Sequence, residues 1–310
     1  MTTALVLLGY AGLLGLAGPR IVDRARWAVA SPRLAIATWF ALAASFILSL
    51  VLAGAAIMTP TEIFTGDLAA VRDCVTALRE HHGAIGGTVL ALLAAALTWA
   101  VPLRLACALI AVARTVAADR SRLRRELRGG RRDRGLGAVV VESPQPAAYC
   151  IPGEGGLVAI TSGALQLLDR PQLEAVLAHE RAHLAGRHHL LIALAQAANR
   201  AFGWVPLFTR LPVRVGHLVE LAADDAAARR ASRRILARSL LNVATAQTPA
   251  EALAASGGDT VARVERLLHA PPAPGPAGVG TILGGNAAAV AAPILVVALP
   301  VLTAVGMACC

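Results

Sequence analysis

The stretch AVLAHERAHLAG, residues 175–186, decides how this chain is read. Its two histidines, His179 and His183, stand four residues apart. On a helix that spacing puts both imidazoles on one face, one turn apart, within reach of a single metal ion. Glu180 projects beside them, where a carboxylate can take a proton from a water molecule activated by the metal. Downstream, Glu220-Leu-Ala-Ala-Asp224 supplies two acids one helical turn apart. Three protein ligands and an open position for water make up the catalytic zinc arrangement, and His179, His183 and Glu220 would complete it around one Zn2+ per chain. Asp224 is placed to accept a hydrogen bond from a ligand histidine and so fix its tautomer. The plainer alternatives are two surface histidines on an amphipathic helix and a solvated acidic face opposite Arg229 and Arg230.

Residues 135–270 around this motif are long enough for one compact domain. Three short strands are expected at 136–142, 147–151 and 157–161, separated by Pro and Gly turns. A helix follows at 162–168. The motif helix opens after Asp169, with Pro171 in its first turn. Further helices are expected at about 188–202, 214–232, 234–246 and 259–269. A Pro-rich linker, 271–280, leads out of the domain.

The rest of the chain is lipid-like. Of 310 residues 56% are hydrophobic and 15% charged, with the excess in Ala, Leu and Val rather than aromatics, which excludes an ordinary cytosolic enzyme. Four apolar stretches, about 3–18, 34–58, 84–112 and 281–307, are long enough or nearly so to span a bilayer. The chain holds 29 basic residues, all of them Arg. They concentrate in the loop 19–33 and in an Arg-rich juxtamembrane segment, 114–134. The positive-inside rule then places the loop 19–33 and residues 114–280 in the cytoplasm and both termini outside, in a multi-pass protein of the cell membrane. This membrane explanation of the Arg cluster leaves no need for direct nucleic-acid binding, since no aromatic stacking residues are interleaved with it. The expected organisation is residues 1–113 as three spans, 114–134 as the juxtamembrane segment, 135–270 as the inserted domain, 271–280 as linker and 281–307 as the fourth span. Cys74 and the Cys309–Cys310 pair share the outer face in this topology, so they can pair or stay free. Cys150 reads as a reduced packing residue.

With these residues in view, the segment 147–187 followed by ELAADDAAAR resembles the membrane gluzincins, which include the HtpX-type, CAAX-processing and BlaR/MecR antirepressor peptidases. Three spans, an inserted peptidase domain and one span afterwards resemble the BlaR/MecR layout most. The resemblance implies a mainly α polytopic membrane protein with an inserted α+β zincin-like domain, zinc on His179, His183 and Glu220, and Glu180 as general base. It also implies an edge strand near Leu157, Val158, Ala159 and Ile160 that pairs with an extended protein substrate. The chain ends three residues past the fourth span, so the extracellular penicillin-binding sensor of the beta-lactam receptors is expected to be absent. His217, three residues before Glu220, is a candidate for the oxyanion-stabilising group, with Tyr149 a weaker one. His188 and His189 are expected off the ligand face, in structural roles. Two substrates stay open: a BlaI-type transcriptional repressor, or membrane proteins in quality control. A non-enzymatic signalling or scaffold protein with a structural metal site is the third reading, although such a site has no need of Glu180.

Overall fold

A computed structural model describes residues 2–58, 85–153, 155–247 and 258–308. Cys74, Cys309 and Cys310 lie outside these residues. The chain is mostly helical: α1 (Thr2–Leu16), α2 (Gly18–Arg24), α3 (Arg26–Ala30), α4 (Pro32–Met58), α5 (Ile85–Glu126), then β1 (Arg131–Asp133), β2 (Ala138–Val141), β3 (Ala148–Ile151) and β4 (Leu157–Thr161). The helices α6 (Ser162–Leu167), α7 (Arg170–Ala185), α8 (His188–Phe202), α9 (Pro206–Ala227), α10 (Arg233–Gln247), α11 (Gly258–Leu268) and α12 (Pro276–Ala308) complete it. Four helical stretches are long and apolar enough to cross a membrane: Thr2–Arg24, Pro32–Met58, Ala91–Glu126 and Pro276–Leu299. The fold is therefore a polytopic helical protein with a small α+β unit between the third and fourth of them.

The third apolar stretch does not stop where hydrophobicity does. α5 runs 42 residues, about 63 Å at 1.5 Å per residue, twice the hydrocarbon thickness of a bilayer. Its Arg-rich half continues the same helix, and Arg131–Asp133 then pairs with β2. Arg104, whose simplest reading is a side chain snorkelling to headgroups, instead donates to the Ala201 carbonyl at 2.6 Å and lies over the Trp204 ring. It ties α5 to the C-terminus of α8.

The apolar helices pack through small residues. Gly54 of α4 faces α5 so closely that a Cβ there would sit 2.6 Å from the Ala94 carbonyl oxygen and 2.4 Å from Thr98 Oγ1. Tyr10 and Ser45 both donate to the Ala289 carbonyl, joining α1 and α4 to α12. The largest core cluster joins membrane and inserted parts. Trp39 and Phe46 of α4 pack with Phe202 of α8 and Phe208 of α9, and the rings of Phe46 and Phe208 meet edge-on at 5.2 Å.

The sheet has the order β1-β2-β4-β3, with β2 and β4 parallel and the other neighbours antiparallel. This corrects the expected substrate edge. Leu157, Val158, Ala159 and Ile160 lie in β4, whose Ala159 is opposite Val139 on one side and Tyr149 on the other. Its backbone donors and acceptors are spent within the sheet, because the preceding hairpin folds 148–151 outside it. The edge strands are β1 and β3. Leu173, Val176 and Leu177 of α7 pack on one face of this sheet, against Val140, Val158 and Ile160.

The α4–α5 contact can be tested directly. Gly54→Val is expected to cost about 1–3 kcal/mol or more through overpacking, whereas Gly9→Ala, which meets nothing within 4 Å, should be near neutral. Thermal unfolding of the two variants in detergent checks the contrast.

Candidate metal centre

The motif helix is punctuated at both ends by its sequence. Asp169 accepts from the Gln172 backbone N–H at 2.9 Å while the Gln172 side chain accepts from the Asp169 N–H, a reciprocal cap with Pro171 in the first turn. Apolar Leu173, Val176 and Leu177 then fix which face is buried, and His179 is carried inward with them. At the other end the chain turns through Gly186 and the left-handed Arg187 directly into α8. A Cβ on Gly186 would sit 2.3 Å from His188 Nε2. The glycine thus makes room for the His188 ring to fold back on α7.

This geometry gathers the predicted donors. His179, His183 and Glu220 each offer one ligand atom, all within 4.8 Å of one another. The Nε2 atoms of His179 and His183 are 3.0 Å apart. Glu220 brings Oε2 to 3.4 Å from His179 Nε2 and Oε1 to 3.4 Å from His183 Nε2. Ligands at about 2.0–2.1 Å around a tetrahedral zinc stand about 3.3–3.4 Å apart. The donor set and its spacing therefore fit that ion, with one corner left for water or substrate.

Both ligand imidazoles have a partner on the far nitrogen. Asp224 Oδ1 lies 3.0 Å from His179 Nδ1, at hydrogen-bond distance but out of line. Asp224 is fully buried, and the Arg263 guanidinium grips it with two bonds of 2.8 Å. Arg263 also reaches Glu220 Oε2 at 2.9 Å. His188 Nδ1 is 3.0 Å from His183 Nδ1; it stands outside the three-donor group, against the far side of the His183 ring. Asp225, by contrast, turns away to Arg266.

Charge and burial oppose each other in this cluster. Burial would raise the Asp224 carboxyl, but Arg263 and His179 outweigh it and hold it at about 2. Burial disfavours a charged His179, yet Asp224 and Glu220 lift it to about 9. His183 is pushed down to about 4, by burial and by its histidine neighbours, with Glu220 opposing. Glu180 is pushed up to about 7, chiefly by burial and also by Glu220, with His179 opposing. A carboxylate there is poised to exchange a proton near neutrality.

Cys150 and Tyr149 of β3 face opposite sides of the sheet, Cys150 with the cluster under α7 and Tyr149 with Leu127 and Ile151. The Cys150 thiol on β3 hydrogen-bonds Glu180, and burial together with that carboxylate pushes it up to about 12. Tyr149, its neighbour, is also raised by burial. His217 lies on the same helix as Glu220 and is hydrogen-bonded through Nδ1 to Asp259 of α11; it is not among the three clustered donors. Arg263 is the residue that sequence reading missed. It comes from a short helix with two arginines, Arg263 and Arg266, and nothing in their spacing says which of them meets Asp224.

Residues 128–209 match the model of peptidase family M48. The segment is M48-like. The match ends before Glu220, so that donor rests on its placement beside the two histidines. Among curated proteins, the protease HtpX homolog of Nitrosomonas eutropha is 34% identical over 86 residues, 27% of this chain and 28% of its own length. Protease HtpX of Idiomarina loihiensis is 35% identical over 75 residues, 24% of this chain and 25% of its own length. The homolog of Pelotomaculum thermopropionicum is 43% identical over 61 residues, 19% of this chain and 21% of its own length. The chain thus spans about a quarter of the length of these relatives. No solved structure matches. The M48-like likeness runs to the HtpX type, and the BlaR/MecR subtype rests on helix layout alone.

The far-side partners carry the next prediction. Losing such a partner typically costs ~10–100-fold in metal affinity. Gly186→Ala, by displacing the His188 ring, and Asp224→Ala should each weaken zinc binding on that scale in chelator competition. Asp225→Ala should leave it unchanged. An unaltered affinity in Gly186→Ala would remove His188 from the site.

Proposed function

We propose that this chain is an integral-membrane zinc endopeptidase whose ligands are His179, His183 and Glu220. The observation that supports it best is the gathering of one ligand atom from each of those three side chains within 4.8 Å of one another, with the raised carboxyl of Glu180 beside them. A zinc ion held there supplies Lewis-acid polarisation of the scissile carbonyl and acidifies the attacking water. Glu180 accepts the proton of that water and returns it to the leaving amine. Asp224 and His188 hold the two ligand rings in orientation through their far nitrogens. His217, oriented by Asp259, is the group we assign to the developing oxyanion. The edge strand β3, not β4, offers backbone groups to an extended substrate, in the manner of strand addition.

The inserted domain, which we place at 135–270, faces the cytoplasm in this reading, and both termini face outward. The loop arginines, with the positive-inside rule, support that orientation. The substrate is a protein at or near the bilayer. Membrane-protein quality control is favoured over cleavage of a BlaI-type repressor, because the matched relatives are HtpX proteases.

Two experiments test the reading. Glu180→Gln should keep zinc and lose cleavage, while His179→Ala should lose zinc. His217→Ala should keep zinc and lower kcat by about 10²–10³-fold. Cleavage retained in Glu180→Gln would defeat the mechanism. For orientation, single cysteines on a cysteine-free background can be probed in intact cells with an impermeant thiol reagent. Thr2→Cys should react and Arg230→Cys should not; the reverse pattern would invert the topology.

A further inference from the structure

Away from the donor cluster, the C-terminal end of α7, the start of α8 and the loop after β3 bound an open recess of about 560 Å³. Its lining is basic, with Arg181, Arg187 and His189 beside the loop residues Pro152 and Gly153. Arg120 of α5 adjoins it, since a Cβ on Gly153 would lie 3.7 Å from the Arg120 side chain. Burial, and after it the charges of Arg120 and Arg187, hold the His189 imidazole below the usual histidine range. The Nε of Arg120 is buried and makes no hydrogen bond. Arg181 donates to the Leu136 carbonyl. Among the described residues no carboxylate pairs with Arg120, Arg181 or Arg187; the arginines that form ion pairs are others. The one acid that the sequence puts in the loop, Glu154, lies outside those residues and is outnumbered by the arginines.

The recess stands at headgroup height. The apolar part of α5 gives way to charge at Arg114. Arg120 lies about 9 Å further along the helix at 1.5 Å per residue, and headgroups fill about 5–8 Å on each side of the hydrocarbon. From the recess α8 runs back beside α5 until its Ala201 carbonyl meets Arg104, inside the apolar stretch. Leu190 lines the recess and Leu194 follows it one turn on, on the same face. They are 51% and 40% exposed. A basic recess thus opens onto an apolar strip that leads into the bilayer. A free phosphate would use only the first of these.

We propose that this recess binds an anionic phospholipid, with the phosphate on the guanidiniums of Arg120 and Arg187 and an acyl chain along Leu190 and Leu194. Guanidinium forks match phosphate oxygens two at a time, and basic pockets at the ends of membrane helices take acidic headgroups. A choline headgroup would bring a further cation among the arginines, so the recess selects against zwitterionic lipid. The inference rests on the four membrane-crossing helices and is independent of the peptidase reading. The lipid's place matters to the donor cluster, because Arg187 is the left-handed residue of the turn that folds His188 back on His183.

Native mass spectrometry tests this on the full-length protein, stripped of lipid in detergent and titrated with dioleoyl phosphatidylglycerol or dioleoyl phosphatidylcholine. One phosphatidylglycerol should bind more tightly than phosphatidylcholine by at least about 10-fold. Arg120→Gln and Arg187→Gln should each weaken it by about 10-fold, the worth of one charge-assisted hydrogen bond. Arg230→Gln, an exposed arginine on the turn after α9, should leave it unchanged. Leu194→Asn should weaken it by at least about 4-fold, the worth of one methylene withdrawn from contact, and inorganic phosphate should not displace it. Arg187 is exposed, so its variant carries the comparison should Arg120→Gln fail to fold. Equal binding of the two lipids, or an equal loss in Arg230→Gln and Arg187→Gln, would make the attraction a diffuse one and overturn the site. Displacement by inorganic phosphate, with Leu194→Asn silent, would make the ligand a free phosphate and overturn the lipid.

Discussion

A carboxylate that water cannot reach sets the terms for the site. Asp224 has no exposed surface, and an uncompensated buried charge of that kind costs about 3–5 kcal/mol. It is tolerable only because Arg263 meets it with two bonds and His179 with a third contact. Those three residues come from α9, α11 and α7, so satisfying one charge fixes three helices. The same guanidinium reaches Glu220, one turn earlier on α9. Glu220 and His179 are thereby set at a distance a small cation can bridge. The clustered donors are placed by the need to neutralise a buried group that is not one of them.

The same economy joins the site to the apolar helices. α9 carries Glu220 and Asp224, yet its other face packs through Phe208 and Leu211 into the cluster built on Trp39 and Phe46 of α4. Asp23 of α2 takes ion pairs from Arg210 and Arg214 of α9. Arg266 donates to the Val29 carbonyl while holding Asp225. The helix bearing the third donor is thus clamped between the motif helix and the membrane-crossing helices. His179 and His183 ride on α7 against the sheet.

Much of this was legible in the sequence, for reasons that can be stated. The four apolar helices announced themselves by length and hydropathy, and α7 by its cap and its 3.6-residue period. Its two histidines needed no tertiary information, because spacing on one helix already makes them neighbours. What stayed hidden depended on pairings between distant segments. The choice of β3 over β4 as the edge is a matter of strand order, which alternation of apolar residues does not encode. Arg263 is indistinguishable in pattern from Arg266, the other arginine of α11, until Asp224 is known to be buried opposite it. His188 looked peripheral because it begins a new helix, and only the tight turn at Gly186 and Arg187 folds it back to His183. α9 begins eight residues before the expected start, since Pro206 opens it and Pro212 is carried within it.

The central claim is that this chain holds a metal on two imidazoles and one carboxylate. X-ray absorption at the zinc edge, on protein purified without added chelator, addresses it most directly. The account predicts one zinc per chain with nitrogen and oxygen neighbours only, at about 2.0–2.2 Å, and the scattering signature of two imidazoles. A sulfur neighbour at about 2.3 Å, which would place Cys150 in the coordination shell, or a protein that binds no zinc, would contradict it.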